Sequence, residues 1–93
     1  MAYGIYFDPK GFPVSVYDEA IEQLTAAGAG TGEVPGRTFH CAMEVDGQIK
    51  VFDVWESMED FAKFGETLMP ILGGLGADTG EPMVMTVHNL QHG

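Results

Sequence analysis

A chain of 93 residues is too short to bury two separate cores, so it predicts a single domain over residues 1–93. Four Lys and Arg against 14 Asp and Glu give a net charge of −10, which argues against nucleic acid and anionic membrane surfaces as partners. Cys41 is the only cysteine, which excludes an intrachain disulfide, and no signal peptide or membrane-length apolar run is present, so we expect a soluble, unprocessed cytoplasmic protein.

The first predicted element is a strand over residues 2–8, because its side chains alternate between two faces. One face carries Tyr3, Ile5 and Phe7, and the other carries Gly4, Tyr6 and Asp8. After a turn at residues 8–11, a helix is expected to begin near Ser15, whose hydroxyl would cap it together with Asp18. The helix is expected to end at Gly28, because glycine readily takes the left-handed conformation that follows helix ends.

A hairpin is expected after a glycine-rich loop at residues 29–36. Asp46-Gly47 separates two runs of β-branched and aromatic residues, which is a strong hairpin signal because both positions of such a turn need positive φ. Ser57 then ends the second strand and caps a helix, accepting from the amide of Asp60. Pro70 is expected to kink this helix or to restart it as a short second piece. The last strand is predicted over residues 82–90.

The register of the hairpin decides which side chains meet. A two-residue turn places His40 opposite Asp53, and the same counting places Thr38 opposite Trp55. The alternative is a three-residue turn with a glycine bulge, which would place Phe52 opposite His40 instead.

The element order βαββαβ predicts an α+β, ferredoxin-like antiparallel sheet with both helices on one face. Strands one and three would be central, and strands two and four would be edges. Residues 51–55 are apolar on both faces apart from Asp53, and 45% of the chain is hydrophobic. A second copy of the sheet is the expected cover for the other face, so we expect a homodimer.

Several segments resemble the dimeric α/β-barrel superfamily, and in particular proteins like the antibiotic biosynthesis monooxygenases. They are VYDEAIEQL at 16–24, VFDVWES at 51–57, DFAKF at 60–64 and PMVMTVHN at 82–89. The resemblance implies a dimeric barrel with a pocket lined by Trp55. Related enzymes that degrade haem carry a histidine where this chain has Phe64, and an asparagine on strand one that is absent here. Haem chemistry is therefore not expected, and no cofactor is expected.

His40 and Asp53 are the candidate acid–base pair. Asp53 would fix the imidazole tautomer of His40 and favour its protonated form, as a general base needs beside an aromatic wall. The competing interpretation is a purely structural pair. His88 ends the last strand and would reach the site only from the other subunit of a dimer, although strand ends often turn polar as they reach solvent. The predicted catalytic set is therefore His40, Asp53 and His88.

The predicted ligand-binding set is Trp55, Tyr6 and Phe64, with Tyr17 as a further possible hydroxyl. Cys41 falls on the apolar face and is expected to be an inert thiol. The three histidines lack metal-ligand spacing, so no metal site is expected.

Two functions fit these observations. The first is a small cofactor-independent monooxygenase-like enzyme acting on an aromatic or polyketide-like substrate, that is, a small hydrophobic ligand. The alternative is a non-catalytic homodimeric module with a hydrophobic cleft. A cleft with room for a ring beside polar groups would favour the enzyme.

Overall fold

The computed structural model describes residues 2–28, 34–91 and 93. Six elements follow in the expected order, namely β1 (Tyr3–Phe7), α1 (Val14–Ala26), β2 (Arg37–Val45), β3 (Gln48–Trp55), α2 (Met58–Gly74) and β4 (Met83–Thr86). The strands form one antiparallel sheet in the order β2-β3-β1-β4, which confirms β1 and β3 as the central strands. None of the described helices has the length and apolar character that crossing a membrane requires.

The hairpin turn contains two residues, as predicted. Asp46 and Gly47 have φ values of 51° and 78°, so both occupy the left-handed region that this turn requires. His40 is therefore the register partner of Asp53, and the bulged alternative is wrong. Because side chains alternate along strands, both residues face the same side of the sheet.

The predicted pairing of Thr38 with Trp55 is wrong. The register shifts between Arg37 and Phe39, and Arg37 is the partner of Trp55. Thr38 is the extra residue of this bulge, and its hydroxyl donates to the carbonyl of Val54 at 3.4 Å. A β-bulge of this kind turns the preceding side chain to the opposite face.

The first helix begins one residue earlier than predicted. Pro13 is its extended N-cap residue and makes no side-chain cap, while Ser15 lies inside the first turn, where its hydroxyl cannot cap. The amide of Val14 donates to the carbonyl of Gly47 at 3.2 Å, so the hairpin turn fixes where the helix starts. At the other end, Gly28 follows the C-cap residue with φ of 82°, as predicted.

The second helix has the predicted cap. Ser57 Oγ accepts from the amide of Asp60 at 3.1 Å and donates to its carboxylate at 2.9 Å. Gly36 packs against this cap with φ of 82°, and a Cβ placed there would lie 2.4 Å from that of Asp60, so only glycine fits. The helix runs unbroken through Pro70 to Gly74, so the predicted restart does not occur.

The last strand is shorter than the predicted residues 82–90. Thr86 pairs with Tyr3, the first residue of β1, and the amide of Val87 donates to the carbonyl of Ala2 at 2.9 Å. Thr86, the partner of the first residue of β1, is the last residue of β4. Of the predicted loop at 29–36, residues 29–33 lie outside the described part of the chain.

The two faces of the sheet differ. Both helices pack on one face, where Ala20 of α1 and Leu72 of α2 share a buried cluster with Val51 of β3. The opposite face carries a largely apolar surface, which we call the open face. Its residues include Gly4, Tyr6, Phe39, Cys41, Met43, Lys50, Phe52, Val54, Met83 and Met85. Four of these are large and exposed by 39–60%, namely Phe39, Met43, Met83 and Met85.

Candidate functional site

A cavity of about 260 Å³ lies between the two helices and the sheet face that they cover. Its volume is just below the roughly 300–1,000 Å³ of ordinary small-molecule sites, so it suits a small ligand. Its walls are mostly apolar and come from every layer of the fold. They include Phe7, Phe12, Ala20, Ile21, Leu24, Val51, Phe61, Phe64, Leu68, Met69 and Leu72. The polar side chains that line it are Tyr17, Arg37, His40, Asp53 and Thr79.

Three of the polar groups form one hydrogen-bonded chain. The phenol oxygen of Tyr17 lies 2.8 Å from Nε2 of His40, and Nδ1 of His40 lies 2.5 Å from Oδ1 of Asp53. Asp53 is almost fully buried and also accepts from the indole nitrogen of Trp55 at 3.4 Å. A carboxylate can only accept, so Nδ1 of His40 carries a hydrogen. Whenever Nε2 carries none, it accepts from the phenol of Tyr17.

The orientation of the Tyr17–His40 bond is set by two different elements. Tyr17 projects from α1, and His40 projects from β2 beside its partner on β3. The two ring planes are nearly parallel, differing by only 5°, and their centroids are 6.3 Å apart. The phenol oxygen lies at an ordinary hydrogen-bond distance of 2.8 Å from Nε2.

The protonation state of Tyr17 suits this role. Burial raises the pKa of its phenol above the ordinary value of 10.0, and the negative charge of Asp53 raises it further, against a smaller opposing effect of Arg37. Tyr17 is thus a neutral phenol at pH 7, with a hydrogen to give to His40. When that hydrogen moves to Nε2, the phenol oxygen can accept another proton from the cavity.

Trp55 lies behind the cavity wall and does not line it, unlike the predicted arrangement. Its side chain is 0% exposed, and its ring packs on Phe61 and Phe64 with centroid distances of 5.5 Å to each. Phe64 does line the cavity, so the aromatic wall is formed by helix α2, with Trp55 supporting it from the sheet.

Two other predicted site residues are placed elsewhere in the single chain. Tyr6 pairs with Phe52 and Met83 and belongs to the open face, because it is an even-numbered residue of β1. His88 follows β4, is exposed and is not part of the cavity wall. A contribution of His88 from a second subunit stays a prediction.

Sequence reasoning missed Arg37. In a regular strand Arg37 would share the face of Phe39, away from His40, but the bulge at Thr38 brings it to the cavity face opposite Trp55. No local sequence signal marks such a bulge. Tyr17, in contrast, could be found as a tyrosine on the apolar stripe of an amphipathic helix.

The cavity offers no metal site: within residues 2–28, 34–91 and 93, no three His, Cys, Asp or Glu side chains are grouped to hold an ion. Cys41 is half-buried on the open face, away from these polar groups.

Comparison with known proteins links the fold to one group of structures. No family model matches the sequence, and no curated protein matches it. A provisionally assigned antibiotic biosynthesis monooxygenase from Chloroflexus aurantiacus superposes over 100% of this chain and 98% of its own, with a TM-score of 0.66 and 21% identity.

Two Streptomyces structures are also similar. SnoaB of Streptomyces nogalater, a cofactor-independent oxygenase solved as a single-site mutant, has a TM-score of 0.59 and 17% identity, covering 96% of this chain and 93% of its own. The ActVA-Orf6 monooxygenase of Streptomyces coelicolor, solved with nanaomycin D, has a TM-score of 0.55 and 19% identity, covering 99% and 90%. The chain therefore has the ferredoxin-like fold of the antibiotic biosynthesis monooxygenase-like structures, as the sequence resemblance implied.

Proposed function

We propose that this protein is a homodimeric, cofactor-independent monooxygenase-like enzyme that acts on a small aromatic or polyketide-like compound. The observation that carries the proposal is the chain Tyr17–His40–Asp53, which ends on the wall of an otherwise apolar cavity. We call these three hydrogen-bonded side chains the relay. A relay that opens on a space of about 260 Å³ is the arrangement needed to remove a proton from a bound ring. The activities of the similarly folded oxygenases support the same reaction class.

The relay supplies a proton path with defined atoms. The phenol oxygen of Tyr17 accepts a proton from the ligand while its own hydrogen moves to Nε2 of His40. The resulting imidazolium is stabilised by Asp53, which accepts from Nδ1 at 2.5 Å. Because the Asp53 carboxylate is already hydrogen-bonded to His40 and Trp55, no unpaired anion has to be buried in the apolar cavity before the ligand arrives.

The oxidation then draws its electrons from the ligand. Removing a proton from an activated ring CH₂ leaves an electron-rich carbanion or enolate, which dioxygen can oxidise. Conversion of CH₂ and O₂ to C=O and H₂O is a balanced four-electron change, with one oxygen atom in the product and the other in water. The protein's part is to bind the ring, exclude bulk water and hold the proton.

A binding module without catalysis is the second candidate. In its favour, every buried side-chain nitrogen and oxygen within the described residues has a hydrogen-bond partner. His40 and Asp53 hydrogen-bond to each other, and their remaining partners are the side chains of Tyr17 and Trp55. Such a set of mutual hydrogen bonds is also typical of a purely structural polar cluster.

Oxygen uptake separates the two candidates. We expect the purified protein, with a chelator present, to consume dioxygen with hydroxylated two- or three-ring compounds that have an acidic ring CH₂, and to release one ketone per dioxygen. An oxygen electrode and mass spectrometry of the product in ¹⁸O₂ measure this. Binding of these compounds by calorimetry without any oxygen uptake would favour the binding module.

The open face supports the homodimer in this proposal. Monomeric proteins rarely leave a contiguous apolar surface of this kind in water, and the edges of the face carry the exposed Phe39, Met83 and Met85. Gly4 leaves the centre of the face flat, and Phe52 packs beside it. A second copy that packs its own open face here would bury the methionines and protect both edge strands.

Adjacent residues of β4 offer a matched test of this dimer. Met85 faces the open side, whereas Val84 faces the helix side, and both are exposed, by 39% and 47%. We expect the wild type and Val84→Asp to sediment at twice 10.0 kDa and Met85→Asp to sediment as a monomer, because a buried, unpaired carboxylate is costly. A wild-type monomer at micromolar concentration would contradict the dimer, and a Met85→Asp dimer would place the interface elsewhere.

A further inference from the structure

Of the residues that the structure describes, Arg37 is the only Lys or Arg on the cavity wall, and neither candidate function uses it. Its guanidinium carbon lies 5.5 Å from the centroid of the Phe64 ring, a cation–π contact that holds the group against the aromatic wall. The bulge at Thr38 commits the side chain to this face of the sheet. Arg37 is therefore a half-buried positive charge in a fixed position beside an apolar space.

The other charges near the cavity leave this guanidinium available. Among the described residues, Asp53 is the only carboxylate that lines the cavity, and its closest partner is His40, at 2.5 Å. Within the described ranges, no carboxylate lies within the 4.0 Å ion-pair distance of Arg37. An apolar cavity does not solvate a guanidinium well, so a ligand anion there would gain a strong, charge-assisted hydrogen bond.

The charge of the whole chain makes this position unusual. With a net charge of −10, the protein repels anions in general. Two of its three lysines pair with carboxylates, Lys50 with Asp8 at 2.7 Å and Lys63 with Glu59 at 3.8 Å, and Lys10 is exposed. An anionic ligand would therefore be recognised at the cavity itself and not through attraction by the surface.

We propose that the cavity selects a ligand of one or two fused aromatic rings that carries a single anionic oxygen group. The anionic group binds the guanidinium of Arg37, and the rings lie against Phe12 and Phe61 on the apolar walls. This places a ring edge toward Tyr17. The inference rests on the proposed function, because it names the ligand class of the same cavity.

Three naphthalene probes of similar shape test the charge preference. They are 2-naphthoate, its neutral methyl ester and the cation 2-naphthylmethylammonium, titrated calorimetrically into the full-length protein at pH 7. We expect the acid to bind roughly tenfold or more tightly than the ester, because a hydrogen bond to a charged group contributes about 1.5–3 kcal/mol. The cation is expected to bind most weakly. Equal affinities for acid and ester, or tightest binding of the cation, would overturn the inference.

Two variants with the same net charge locate the effect. Arg37→Gln should bring the affinity of the acid down to that of the ester, while Lys10→Gln should keep the wild-type preference, since Lys10 is exposed and does not line the cavity. Arg37→Lys should retain part of the preference because it keeps the charge but loses the planar fork. If both variants weaken acid binding equally, the effect is general charge and the inference is wrong.

The same data separate this inference from the proposed function. If acid and ester bind equally and compete for one site, the cavity binds ligands but Arg37 does not select anions, so only the further inference fails. If none of the three probes binds, the cavity is not a ligand site and both fail. Should Arg37→Gln lose its far-ultraviolet circular dichroism, the comparison of the three probes on the wild type still decides the question.

Discussion

Replacing His40 with alanine is expected to lower turnover of an oxidised ligand by about 10²- to 10⁴-fold while leaving its affinity nearly unchanged. The side chain lines the cavity beside Tyr17, and its loss leaves the phenol with no acceptor for its hydrogen. Asp53 would lose its 2.5 Å partner but keep Trp55, so the core around it should stay folded. Steady-state oxygen uptake, with circular dichroism to confirm folding, measures the effect.

Three further variants sharpen this test. Tyr17→Phe should cost less than His40→Ala, because Nε2 of His40 would then face the cavity directly. Asp53→Asn should also cost less, since an amide keeps the shape and still accepts from Nδ1. Glu44→Ala is the control, because Glu44 is an exposed residue on the same strand and face as His40 but does not line the cavity.

A different result would identify a structural pair. If His40→Ala unfolds the protein, and the wild type neither binds nor oxidises any aromatic probe, the His40–Asp53 pair serves the fold alone. Turnover equal to that of the wild type in a folded His40→Ala would likewise remove the relay from the reaction. Both outcomes would favour the alternative of a non-catalytic module.

Replacing Trp55 with alanine is expected to lower the free energy of unfolding by about 3–5 kcal/mol. The indole is 0% exposed and packs on Phe61 and Phe64, so truncation leaves a cavity that helix α2 cannot fill without moving. Small domains are stable by roughly 5–15 kcal/mol, so this loss removes a large part of the total. Urea denaturation followed by circular dichroism measures it, since the only tryptophan is lost in the variant.

Trp55→Phe is the matched variant. It keeps most of the buried ring and loses the indole hydrogen bond to Asp53, so we expect a cost of about 0.5–1.5 kcal/mol. Ligand affinity should be close to that of the wild type in Trp55→Phe, because Trp55 stands behind the cavity wall. If Trp55→Ala stays as stable as the wild type but loses ligand binding, the side chain contacts the ligand directly, and this assignment is wrong.

The central part of the fold could be predicted because its signals are local. Asp46 and Gly47 tolerate positive φ, which selects a two-residue turn, and the register of His40 with Asp53 then follows by counting. Ser57 and Asp60 satisfy each other within a single helical turn, so the start of α2 was also readable. The element order and alternation predicted the sheet with its two central strands for the same reason.

The rest of the site depends on contacts between distant parts of the chain. The bulge at Thr38 reversed the face of Arg37, and the tie between Val14 and the hairpin turn moved the start of α1 to a position without a side-chain cap. Periodicity places both Trp55 of β3 and Phe64 of α2 on the side of their element that faces the cavity. Which of the two side chains lines the cavity depends on how α2 packs on the sheet.

The sequence by itself therefore determined the order of elements and the position of the hairpin, since both follow from backbone preferences of neighbouring residues. It favoured the register that pairs His40 with Asp53, and the φ of Asp46 in the structure excluded the bulged alternative. Only the tertiary structure showed that Tyr17 hydrogen-bonds to His40, that Arg37 lines the cavity and that Trp55 is buried behind the cavity wall. These outcomes are set by how α1 and α2 dock on the sheet, and docking depends on the shapes of many side chains at once, which no local pattern records.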